Sequence, residues 1–138
     1  MNVNAKYERM NPPSLATIKR NGHVTMAQVV AVENARKIIY LSGQVSRDPQ
    51  GNVVGAGDMR AQMTQVGECV AAGLKAAGAT PENIVKTQTF VTNMPEYLKH
   101  ADLRAKYFCN PIAASTTIEI KGLVNPELMI EVDVIAVI

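Results

Sequence analysis

Aromatic side chains are scarce in this 138-residue sequence, which has two Phe, four Tyr and no Trp. Proteins that hold single-stranded bases by stacking need a platform of such rings, so a nucleic-acid partner is not expected. Charge adds nothing in that direction. The formal net charge is +2, and the basic residues come in scattered pairs, Lys19-Arg20 and Arg36-Lys37, not in a stripe. Two Cys (Cys69, Cys109) and two His (His23, His100) show neither the C-x-x-C nor the H-x-x-x-H spacing of a zinc site, and no metal is expected. Long apolar runs are also missing. The stretches at 29–32 and 134–138 are far short of the ~20 residues that cross a bilayer. Residues 1–8 hold no apolar signal region, so the expected location is cytoplasmic, with both thiols reduced. Gly51, Gly55 and Gly57 lack the G-K-S/T ending of a phosphate loop.

What is present is a globular composition, 47% hydrophobic and 19% charged, at the length of one domain spanning 1–138. Residues 26–31 and 38–42 are apolar runs separated by the polar turn 33–37, which reads as a hairpin. Met59, Met63, Val66, Val70, Leu74 and Ala77 recur at helical spacing, with Asp58 as N-cap and Gly78 as stop. A strand over 84–91 follows. Pro95 then opens a second helix with Tyr97, Ala101, Ala105 and Phe108 on one face, ended by Asn110-Pro111. The chain closes with strands over 116–121 and 128–138; in the last, Leu128, Ile130, Val132, Val134, Ala136 and Ile138 share one face and Met129, Glu131, Asp133, Ile135 and Val137 the other. The order is ββ-α-β-α-ββ, an α+β fold in which two helices cover one face of the sheet. Strands 29–32 and 38–41 are apolar at consecutive positions and so present apolar groups on both faces. With no third helix to cover the second face, another copy of the chain is the expected cover.

The segments Leu41-Ser42-Gly43-Gln44-Val45, Ile84-Val85-Lys86-Thr87-Gln88-Thr89-Phe90-Val91, Ala114-Ser115-Thr116-Thr117-Ile118-Glu119-Ile120 and Ile130-Glu131-Val132-Asp133-Val134-Ile135-Ala136 resemble, in order, the successive blocks of the Rid (reactive-intermediate deaminase, YjgF) family. The resemblance covers almost the whole chain. It implies a chorismate-mutase-like sheet, a barrel-like homotrimer and small-molecule ligand clefts between subunits. It also implies cofactor-free hydrolysis of small imines or enamines to keto acids and ammonia. Glu131 matches the family carboxylate that handles the attacking water, and one carboxylate can both take the water's proton and return it to departing nitrogen. Ser115 stands where founding members carry an arginine that clamps the substrate carboxylate through paired donors. Ala101 stands at the family's asparagine, and Met26 falls near its tyrosine. The resemblance therefore assigns Glu131 as catalytic and Ser115, Thr116, Ser42 and Cys109 as substrate-binding. Arg104 and Lys121 are the candidates to supply the missing cation. Two other readings remain at this level: a non-catalytic ligand-binding or stress-protective trimer, and the endoribonuclease or translation-inhibitor role attached to some relatives. Ser42, Ser115, Thr116 and Thr117 have no His and Asp in a nucleophile arrangement, which argues against a serine hydrolase.

Overall fold

Helix α1 (Met59–Ala76) realises the strongest periodicity in the sequence. In the computed structural model, which describes residues 4–138, the Asp58 carboxylate accepts from the Ala61 backbone N–H at 3.0 Å. That bond satisfies one of the donors a helix start leaves free. At the other end Gly78 takes a φ of 81°, a left-handed geometry that costs residues with a Cβ far more. Met63, Val66, Val70 and Leu74 all lie in the core, as the spacing requires.

Strands β1 (Lys6–Met10), β2 (Lys19–Arg20), β3 (His23–Val24), β4 (Val29–Glu33) and β5 (Ile38–Val45) precede this helix. After it come β6 (Ile84–Val91), α2 (Met94–Leu98), α3 (Ala101–Phe108), β7 (Ala114–Glu119) and β8 (Ile130–Val137). The main sheet has the order β5-β8-β6-β7, with β6 and β7 parallel and the other pairs antiparallel. It is a mixed α+β fold with the helices on one face. Ile39 of β5, Val91 of β6 and the even-numbered residues Ile130, Val132, Val134 and Ala136 of β8 join α1, Tyr97, Leu103, Tyr107 and Phe108 in a single core. Burial alternates along β8 from Ile130 to Ala136, as in a strand with one buried face, and breaks only at its end, where Val137 is buried too.

Two expectations need correction. The runs at 26–31 and 38–42 do not form a hairpin. Strand β4 pairs instead with β1, Tyr7 opposite Val32 and Arg9 opposite Val30, while β5 pairs with β8. The intervening turn spends its N–H groups elsewhere, since Arg36 and Lys37 both donate to the Ile138 carbonyl at 2.7 and 3.0 Å. Tyr7 ties the β1-β4 ribbon to the main sheet by donating its hydroxyl to the Val137 carbonyl. The second helix is also broken into α2 and α3 at Lys99-His100, and its buried side is Tyr97, Leu103, Tyr107 and Phe108, with Ala105 exposed. The larger apolar groups, not the alanines, chose the face, because they gain more from leaving water.

The second face of the sheet carries the apolar groups that the doubly apolar runs required. Ile38 and Tyr40 of β5 are 54% and 75% exposed and Ile118 of β7 is 46% exposed. Alternate polar groups, Lys86, Gln88, Thr116, Glu131 and Asp133, share that face by register.

Candidate functional site

Glu131 sits in β8 between Ile130 and Val132, whose side chains are buried under the helices, so its own carboxylate lies on the open face. There it meets a bulge. In β5, Leu41 pairs with Val134 and Gln44 with Val132, leaving Ser42 and Gly43 together opposite one residue of β8. The bulge brings the Gly43 backbone against the carboxylate: a Cβ at 43 would lie 1.9 Å from Glu131 Oε1 and 2.9 Å from its Cδ. Glycine is the only residue that leaves room for the carboxylate where it stands. None of the ion pairs among the described residues involves Glu131, which leaves its charge available to a ligand. Ser42 is exposed beside Gly43.

Thr116 shares the open face and accepts from Lys86 Nζ at 3.1 Å. On the same face burial pushes the Asp133 carboxyl up, against the opposing pull of Lys86. Ser115 is on the other side. It pairs with Thr87, which pairs with the core residue Val134, and the Thr87 hydroxyl donates to Ser115 Oγ at 2.9 Å. Within one chain, Ser115 and Glu131 therefore point to opposite faces of the sheet. A single chain does not bring the two to one face.

Cys109 ends α3 and lines a cleft of about 370 Å³ between that helix and the β2-β3 hairpin, together with Arg20, His23, Thr25, Ala101 and Arg104. Burial pushes the Cys109 thiol up and the Arg104 charge opposes this. Arg104 donates from Nη1 to the Thr25 carbonyl at 2.6 Å, fastening the helix to the segment after the hairpin. Tyr97 is buried beside Arg104 and Thr117, yet neither is placed to make a proper hydrogen bond to its hydroxyl, which has no partner among the described residues. Burial pushes this phenol up. Lys121 is exposed and does not line this cleft. Of the two candidate cations, only Arg104 stands in it.

A second cleft, of about 420 Å³, opens between the end of β5 and α1, bordered by Gly43, Arg47, Gln65, Glu68 and Cys69. Here burial also pushes the Cys69 thiol up, which leaves it protonated and a poor nucleophile. Among the described residues no group of three or more His, Cys, Asp or Glu is placed to hold a metal ion, and no helix is long and apolar enough to cross a membrane.

Arg20 and His23 were not singled out from the sequence as site residues. The signal was present in Asn21-Gly22 between them, with φ of 50° and 80°. Consecutive left-handed residues make the tight turn that Asn-Gly favours, and it sets Arg20 directly opposite His23.

The family model described as Endoribonuclease L-PSP matches residues 22–138. The chain belongs to this family, the YjgF/Rid family. A RutC family protein of Saccharolobus solfataricus is 31% identical over 72% of this chain and 78% of its own length. A RutC family protein of Pyrococcus horikoshii is 27% identical over 80% of this chain and 98% of its own. Among solved structures, the Rid-family protein YyfB of Yersinia pestis superposes with a TM-score of 0.80 at 27% identity, covering 96% of this chain and 98% of that one. A Thermotoga maritima protein described as a putative endoribonuclease gives a TM-score of 0.67 at 28% identity, over 80% of this chain and 84% of its own. Membership in the Rid family points to a small-molecule deaminase or binding role.

Proposed function

We propose that the protein is a cofactor-free hydrolase that deaminates a small imine or enamine at a cleft completed between subunits of a homotrimer, with Glu131 handling the water. The observation that carries this reading is the seating of Glu131 against Gly43. A bulge and a glycine together hold a carboxylate on the open face without an ion-pair partner among the described residues. In the reaction the water oxygen bonds to the electrophilic imine carbon as its proton passes to the carboxylate. The carboxylate returns that proton to nitrogen, giving a carbinolamine; it then takes the proton of the new hydroxyl and passes it to nitrogen as the C=O bond forms and the C–N bond breaks, releasing ammonia and a keto acid. The exposed Ile38, Tyr40 and Ile118 support assembly, because they form an apolar surface that a second copy would take out of water.

The decisive measurement is ammonia release from 2-iminobutanoate generated in place by a threonine dehydratase. Turnover by the natural protein and its loss, by two or more orders of magnitude, in Glu131→Gln is the expected result. Full activity after that substitution would remove Glu131 from the chemistry. One observation favours a second reading, a non-catalytic ligand-binding trimer: Ser115, at the position of the family arginine, has its hydroxyl engaged by Thr87. Saturable binding of keto acids without any turnover would select it. RNA cleavage finds no support in the aromatic content.

A further inference from the structure

The β2-β3 hairpin and α3 bring two permanent positive charges, Arg20 and Arg104, to one cleft of about 370 Å³. Guanidinium groups keep their charge at any pH a protein tolerates. The acid that also lines this cleft, Asp102, is engaged elsewhere: Arg60 grips it through two contacts, Nη1 to Oδ1 at 3.1 Å and Nη2 to Oδ2 at 2.7 Å. No ion pair among the described residues involves Arg20 or Arg104. Arg104 gives Nη1 to the Thr25 carbonyl, and a guanidinium has further N–H donors on its other nitrogens. The buried, unpartnered hydroxyl of Tyr97 lies beside it. On the opposite wall the imidazole of His23 is held across from Arg20 by the Asn21-Gly22 turn. Two uncompensated cations facing one space, with donors unused, are the complement of a ligand that carries two negative charges.

We infer that this cleft binds a small dicarboxylate of the size of a 2-keto diacid, with Arg104 holding one carboxylate and Arg20 the other. The preference for a dianion follows from the cleft itself and stands apart from the hydrolase reading. Arg104 is half-buried and fixed by Thr25 and so is the stronger anchor, whereas Arg20 is exposed and selects between ligands.

The test is calorimetric titration of the intact protein with 2-oxoglutarate, 2-oxobutanoate and inorganic phosphate at low ionic strength. The expected result is that 2-oxoglutarate binds about tenfold more tightly than 2-oxobutanoate and that added salt erodes the difference, because Arg20 is exposed. Arg20→Ala lies in an exposed hairpin remote from the core, so folding is not at issue. It should abolish the preference by weakening 2-oxoglutarate far more than 2-oxobutanoate. Arg104→Lys should weaken both keto acids together and retain the preference. Equal affinity for the two keto acids, or a preference that survives Arg20→Ala, overturns the inference. Phosphate binding as tightly as 2-oxoglutarate also overturns it, in favour of a phosphate site. A dicarboxylate preference in a protein that turns over no imine would sink the hydrolase reading and leave the dianion site standing. Turnover of 2-iminobutanoate without a dicarboxylate preference would do the reverse.

Discussion

Gly43 and Glu131 pack so closely that a single methyl group on the first would lie 1.9 Å from the carboxylate oxygen of the second. The clash falls on the far end of a flexible side chain, so Gly43→Ala should fold normally while the carboxylate swings away. Activity should fall roughly 10- to 100-fold, the scale of a reacting group displaced by about an ångström. Steady-state kinetics beside a urea melt would check this. Unchanged kcat/KM would show that the carboxylate has no fixed post to lose.

Gly67 presents the opposite case. A Cβ there would meet the Tyr107 ring at 2.3 to 2.5 Å, where α1 crosses α3. An aromatic ring packed in the core cannot swing aside, and Gly67→Ala should cost about 1–3 kcal/mol through overpacking. The urea midpoint should drop with little change in slope.

Gln62 is fully buried and completely bonded: its amide donates to the Gly55 and Glu127 carbonyls at 3.1 and 2.7 Å and accepts from the Met129 N–H at 2.8 Å. Gln62→Met keeps the volume but strands the Glu127 carbonyl and the Met129 N–H in the interior, while the Gly55 carbonyl keeps the Asp58 N–H. A loss of about 3 kcal/mol is expected, since each buried unpaired group costs roughly 1–3 kcal/mol and some will find water. Thermal unfolding would measure it, and a wild-type midpoint would mean the loops around 55 and 127 hydrate freely.

Association should depend on Tyr40 and Ile38, not on their neighbour Ile39, which is 8% exposed and points into the core. Tyr40→Asp should give folded monomers by light scattering, because a charge enclosed in an interface without a partner costs several kcal/mol. Ile39→Asp should lower stability instead. A Tyr40→Asp protein that still assembles would place the interface elsewhere.

The sequence alone determined α1 from cap to stop, since Asp58, Gly78 and the apolar positions between them act within a few residues of one another. It also determined which residues of β8 share a face, because alternation is local. The excess of apolar groups on β5 was legible too, and so was the four-block pattern that identifies the family. Tertiary structure decided the rest. It gave β4 to β1 and β5 to β8, a choice between partners of similar apolar character that no local pattern encodes. It set Ser115 and Glu131 on opposite faces, because that depends on how β6 registers both β7 and β8. It also placed Gly43 against Glu131 and set Arg104 and Arg20 on one cleft, pairs of residues 88 and 84 positions apart in the chain. Contacts over such separations form only once the core has fixed the strands and helices that carry them.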